Sequence, residues 1–339
     1  MRCYMKSLPK NKIANIYGIA ILLLILSAVL GVLLGASGIS LTDMLSSLVK
    51  GDIESPEVKI LLYVRLPRIL SGLICGAALA VSGAVVQGVL ANKLASPSII
   101  GVNAGAGLAV ILCSAFGMIG GWSLSAFAFI GAFLTVMLVS IAAKKWGVSR
   151  GTVILMGVAL NALLGAISDT VITFNPDVSV MSNDFKIGDF SSVTYAKLIP
   201  AAVIVLITFL VLITLSNELD VLTLGDENAK GLGMNTSLMR VVFLLMSALL
   251  AGAAVSVCGL LSFVGLLVPH AVRRMAVTES KHLIPLCALF GAGFVAVCDT
   301  LARVVFAPYE LPVGIIMAFL GAPFFIFILI RGKGGHRNA

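Results

Sequence analysis

The chain has 339 residues, 60% of them hydrophobic and only 11% charged, with mean hydropathy +1.12 and a net charge of +8. A soluble domain carries about 25% charged residues, so an ordinary aqueous surface is excluded and a polytopic membrane protein is indicated. The apolar runs are long and continuous, whereas a β-barrel needs short alternating strands; helices, which satisfy their own backbone hydrogen bonds in lipid, remain.

At roughly 20 residues per span, the apolar runs allow about ten crossings in one all-α polytopic membrane domain. In chain order the spans are expected near 16–35, 69–90, 99–118, 122–142, 152–173, 198–216, 240–261, 262–272 (a short one), 283–305 and 312–331. The domain then covers 16–331, between an N-terminal segment 1–15 and a tail 332–339. The first run, Ile16–Leu34, follows Arg2, Lys6, Lys10 and Lys12 and has no small-residue cleavage site, so it reads as a retained span rather than a signal peptide. With the N-terminus inside, sixteen of the 23 Lys and Arg fall in cytoplasmic segments, and seven (Lys50, Lys59, Arg65, Arg68, Lys186, Lys197 and Arg303) fall outside. That asymmetry predicts cytoplasmic N- and C-termini. The net charge is then a matter of topology, and the scattered basic residues give no reason to expect nucleic acid as a partner.

Six cysteines form no CxxC pair, and five lie in apolar runs, so packing is expected and no metal site. No HExxH, carboxylate pair or Ser/His/Asp set is present, so no catalytic residues and no bound cofactor are expected.

The second run opens with "RLPR", placing Arg65 and Arg68 around Pro67, expected to start the helix, on the less basic face, with Arg303 at the same face. Snorkelling of single arginines to lipid phosphate is one reading. Three guanidinium forks displayed to the exterior, where they bind carboxylates bidentately, favour docking of an acidic soluble partner. Gly72, Gly76, Ala80, Ala84 and Gly88, and then Gly101, Gly105, Ala109, Cys113 and Gly117, recur every fourth residue; each series predicts a smooth helix face for close backbone packing. Between these runs, "ANKLASPSIIG" is a turn in which Ser96 is placed to cap the next helix with Pro97 at its first position. A plain turn and a gate lining are both open readings there.

Gln87, Asn161, Asp169 and Asp299 are polar groups in or near spans. Asp299 and Arg303 stand four apart, so a local ion pair is the simpler account of both; Asp169 lies near the outer end of its span. In the loop 217–239, Gly225 and Gly233 bracket a short segment with Asp226 and Glu227 at its start. Acids in a first turn and glycine after the last predict a short helix on the cytoplasmic side. Ala229 and Leu232 would make it either a headgroup-resting helix or a knob for a cytoplasmic partner.

"RLPRILSGLICGAALAVSGAVVQGVLANKLASPSIIGVNAGAG", "LGDENAKGLGMN", "FVGLLVPHAVRR" and "DTLARVVFAPYELPVGIIMAFLGAPFF", in this order, resemble the FecCD permeases. These are membrane subunits of ABC importers for iron-siderophore, heme and cobalamin, of the type II kind. The resemblance implies ten spans per chain, a second permease subunit as homo- or heterodimer, two ATPase subunits inside that carry the ATP, and an extracytoplasmic solute-binding protein. Arg65, Arg68 and Arg303 match binding-protein docking arginines. Gly225, Asp226, Glu227, Ala229, Leu232 and Gly233 match the ATPase-coupling segment. Asn92 and Leu94 match a turn that narrows the cytoplasmic exit, and Gln87 precedes it on the pathway side; Lys93 stands where the family commonly has proline. Residues "FKIGDFSSVTY" match the family's fifth-to-sixth connection only loosely. No GxxxxGK[ST] phosphate loop is present, so ATP hydrolysis is expected on another polypeptide. The expected function is a permease subunit in the cytoplasmic (inner) membrane that moves a ferric siderophore or a related iron or heme chelate. A cobalamin importer is the alternative, and a proton-coupled secondary transporter using Asp169 or Asp299 is the rival of another class.

Overall fold

The computed structural model describes residues 9–34, 47, 55–118 and 120–333. The expected positions of Cys3, Lys50 and residues 334–339 of the tail lie outside the described residues. Every element among the described residues is helical. In chain order they are α1 (Lys10–Leu33), α2 (Pro56–Val89), α3 (Val102–Ala115), α4 (Gly121–Trp146), α5 (Arg150–Phe174), α6 (Pro176–Ile187) and α7 (Tyr195–Thr214). After these come α8 (Ser216–Thr223), α9 (Asp226–Gly231), α10 (Thr236–Cys258), α11 (Val264–Arg274), α12 (Ser280–Val304) and α13 (Val313–Lys333).

Each of the ten expected spans has its helix, and seven are long and apolar enough to cross a membrane alone. Helix α11 has 11 residues; at 1.5 Å per residue it reaches about 16 Å, half of a hydrocarbon core. Gly259 (φ 70°) and Phe263 (φ 68°) in left-handed conformation make the break that separates it from α10. Helix α6 was not anticipated: Pro176 at its first turn starts it directly after α5 ends.

Two helix starts differ from expectation. Pro67 does not begin a helix; α2 starts at Pro56 and passes through Pro67 by a π-helical turn at Leu61–Arg65. The turn solves the backbone problem that proline creates. Leu66 N–H donates to Leu61 O in the five-residue pattern, and Leu62 O is left facing Pro67, which has no N–H. The hydroxyl of Tyr195, at the start of α7, donates to Leu62 O at 2.8 Å and satisfies it. Likewise Ser96 does not cap α3. The turn runs on through Gly101 (φ 107°), and α3 begins at Val102. The side-chain amide of Asn161 on α5 donates to Ser98 O (2.9 Å) and Ile99 O (3.2 Å), holding the turn open at those carbonyls.

Helices α2, α10 and α12 form the centre. In α2, 78% of the apolar stretch is buried, against 11% in α5. Lipid is as apolar as leucine, so burial against lipid offers no hydrophobic drive, and close packing with internal hydrogen bonds supplies the cohesion. The small-residue face does this work at Gly76, where a Cβ would collide with the Gly291 carbonyl of α12. Gly105 of α3 meets Gly131 of α4 in the same way. Ser82 Oγ donates to Ser247 O at 2.8 Å, tying α2 to α10 in the buried centre; such bonds are worth about 0.6 kcal/mol in a membrane interior. Cys75, Cys113, Cys258, Cys287 and Cys298 are free and buried, and no metal-holding cluster exists among the described residues.

Candidate functional site

Polar chemistry gathers at the two ends of α2. From Arg65 to Gln87 is 22 residues, about 33 Å of helix, which matches the thickness of a hydrocarbon core.

At the Arg65 end the three arginines expected to face outward turn inward. Arg65, Arg68 and Arg303 are 4%, 6% and 3% exposed. Arg65 Nη1 donates to Val32 O of α1 at 2.9 Å. Arg303 donates Nη1 to Leu34 O (3.0 Å) and Nη2 to Gly31 O (3.2 Å), so two guanidinium groups complete the end of α1, whose last carbonyls lack helical partners. Asp299 lies between Arg68 (Nε–Oδ1 3.0 Å) and Arg303 (Nε–Oδ2 3.2 Å), which includes the anticipated local pair. Arg68 Nη1 also donates to Glu310 Oε2 at 2.6 Å, and its Nη2 stands 4.0 Å from Asp189. The display expected of the arginines therefore gives way to an internal ion network: burying a charge without a partner is costly, and three carboxylates of the chain supply partners. Of these, Glu310 is the most open, its side chain 38% exposed.

Sequence reasoning missed Glu310 and Asp189. Asp189 belongs to the loop after α6, which the backbone fixes firmly: Asp189 N–H donates to Cys258 O (2.9 Å), Leu260 N–H to Phe185 O (2.8 Å) and Gly314 N–H to Gly188 O (3.1 Å). Phe190 is fully buried beneath it.

At the other end, the Gly225–Gly233 segment forms the expected short helix. Gly225 (φ 104°) enters α9 and Gly233 (φ 84°) leaves it, with Gly233 N–H bonded to Lys230 O and Met234 N–H to Ala229 O. Leu232 is 67% exposed, and Leu224 and Glu227 are exposed beside it. Ala229, expected on the same outward surface, is instead fully buried, as is Leu222. Asp226 also faces inward. It accepts from Arg150 Nη2 at 2.6 Å (Oδ1) and from Arg240 Nη2 at 2.6 Å (Oδ2). Desolvation pushes its pKa up, but hydrogen bonds from both guanidinium groups and their charges outweigh this and hold it below the usual carboxylate value. Arg150 and Arg240 were not singled out in sequence, because their partner is 76 residues from one and 14 from the other.

Gln87 is buried, and its amide nitrogen donates to Gly265 O (3.2 Å) while its oxygen accepts from Arg273 Nη1. It ties α2 to α11. Asn92 Oδ1 accepts from Leu94 N–H at 2.9 Å, an Asx turn that leaves Leu94 exposed. Asp169 is exposed on α5, on a helix that also exposes Leu155, Val158, Leu163 and Ile167.

The comparisons with known proteins agree with this architecture. The Fe(3+)-citrate import system permease of Bacillus subtilis (strain 168) is 37% identical over 315 residues, covering 93% of this chain and 94% of that one. The hemin transport system permease of Yersinia pestis is 35% identical, covering 80% and 83%. The vitamin B12 import system permease of Yersinia enterocolitica is also 35% identical, covering 80% and 81%. Among solved structures, a metal-chelate type ABC transporter in an inward-facing conformation superposes with a TM-score of 0.82 at 29% identity, covering 94% of this chain and 99% of that one. The model of the FecCD transport family matches residues 22–331. The chain is a multi-pass membrane permease and belongs to the FecCD transport family.

Proposed function

We propose that this chain is the membrane subunit of an ABC importer that moves a ferric siderophore or similar iron chelate inward, with ATP hydrolysed on separate subunits. The observation that carries the reading is α9: a glycine-bounded helix with an exposed leucine at its tip and a two-arginine clamp at its base. A knob so braced transmits a push into the bundle through α5 and α10, the helices that carry the clamping arginines. Its end of the molecule is then cytoplasmic, and the Arg65 end faces the solute-binding protein. Docking at Arg68 exchanges Glu310, the most exposed of its carboxylates, for an acid of that protein.

The exposed face of α5 supports a second permease subunit. Asp169 lies on that face near the end of α5; a carboxylate turned toward lipid is disfavoured, and a partner helix or a water-filled path between two subunits removes that cost. An interface path suits a large chelate better than a pore inside one tightly packed bundle. Iron chelates rank ahead of cobalamin because the match to the Fe(3+)-citrate permease spans 93% of this chain and 94% of that one, against 80% and 81% for the vitamin B12 permease.

The test is uptake by proteoliposomes holding the permease with its ATPase and binding protein, offered ferric siderophore, Fe(3+)-citrate, hemin or cobalamin. Uptake of a ferric chelate that requires ATP and persists with a protonophore is expected. Uptake that survives without ATP and collapses with the proton gradient contradicts the reading and transfers the role to Asp169.

A further inference from the structure

Between the ends of α4 and α5, helix α9 and the first turn of α10 lies a cavity of about 200 Å3, lined in part by Lys144, Ser149, Asp226, Lys230, Ser237 and Arg240. This is smaller than the 300–1,000 Å3 of sites for drug-sized ligands, so it excludes a chelate and suits one small polyatomic group. Charge selects its sign. Three cations and one carboxylate line the cavity, and that carboxylate also takes Arg150; four cations against one anion leave a net charge of +3. Lys144 and Lys230 are exposed and form no ion pair among the described residues.

Arg240 gives the second, independent sign of a ligand. It lines the cavity and is 7% exposed. Its Nη1 donates to Val148 O (3.1 Å) and its Nη2 to Asp226, but its Nε has no acceptor. A buried donor without an acceptor is costly, and the side chain that carries it lines the cavity. The N-terminus of the 23-residue α10 adds the positive end of its dipole, through the first-turn residues Thr236 and Ser237. The depth is informative as well. Trp146, exposed at the last turn of α4 and next to the lining residue Gly147, marks the headgroup level, where tryptophan collects.

We propose that this cavity is a binding site for a single phosphate group, supplied by the headgroup of an anionic lipid or by inorganic phosphate from the aqueous phase. Bound there, the phosphate bridges α4, α9 and α10 and stiffens the base of α9. The binding claim stands apart from the identity of any partner of α9, so its failure leaves the transport reading untouched.

The test uses the purified full chain in detergent, followed by thermal unfolding and native mass spectrometry. It is titrated with phosphatidylglycerol, phosphatidylcholine, inorganic phosphate or chloride. Phosphatidylglycerol or inorganic phosphate is expected to raise Tm and to remain bound, while phosphatidylcholine and chloride do neither; which of the first two acts identifies the source. The Lys144→Gln/Lys230→Gln double variant, changed at two exposed positions, should bind roughly thirty-fold more weakly, the effect of about 1 kcal/mol per lysine near an anionic surface. Lys145→Gln, outside the lining, should bind as the unaltered chain does. The proposal is overturned if neither phosphate source acts, if the double variant binds normally, or if Lys145→Gln weakens binding equally.

Discussion

Asp226 holds one negative charge between two guanidinium groups, which sets how the base of α9 responds to acid. Its pKa is depressed below the ordinary 3.8, so the clamp contributes its full stability at pH values above about 4 and loses it as pH falls through the depressed value. In a Trp122→Phe background, Trp146 is the remaining tryptophan, and it stands two residues from Val148, whose carbonyl accepts from Arg240. Its emission should show an acid transition centred below 3.8 that Asp226→Asn abolishes. Asp226→Asn should also lower stability by about 2 kcal/mol, the scale of hydrogen bonds to charged groups. A transition unchanged in that variant assigns the effect to another group. At this scale the sequence was legible where partners are neighbours. The Asp299–Arg303 pair stands four apart on one helix and was expected. The Arg68–Glu310 bond joins residues 242 apart, and no periodicity or local propensity reports such a contact. For that reason the arginines were expected to point outward.

Among the elements, the apolar runs located the spans because lipid imposes helix and length together. The four-residue spacing of glycine and alanine in α2 and α3 foretold close approaches, now seen at Gly291 and Gly131. The helix starts were less legible. Pro67 is compatible with a helix start, yet α2 carries it just after a π-turn because Tyr195, 133 residues away from Leu62, takes over the orphaned carbonyl. The Gly225–Gly233 segment was legible as a helix, since glycine and acid punctuation is local, but which apolar residues face outward depends on packing: Ala229 went inside and Leu232 outside. Leu232→Asp should therefore leave the fold intact. In the assembled transporter it should cut ATPase stimulation by loaded binding protein roughly thirty-fold, as removal of a hot spot worth about 2 kcal/mol would. Normal stimulation in that variant removes α9 from the coupling role.

For the molecule as a whole, α2 is the measuring rod. One end is closed by the Arg68–Asp299–Arg303–Glu310 network and the other by Gln87 with Arg273 and by the Asp226 clamp nearby. Between them α5 leaves a broad apolar face uncovered, with Asp169 upon it. The account needs these ends on opposite sides of the membrane, with the arginine network outside and α9 inside. Tyr309 and Lys230 are exposed at the two ends, and the cysteines among the described residues are buried. With Cys3 replaced by serine, Tyr309→Cys and Lys230→Cys can each be labelled on intact cells with a membrane-impermeant maleimide. The account predicts labelling of Tyr309→Cys at once and of Lys230→Cys only after permeabilisation; labelling of both from the same side contradicts it.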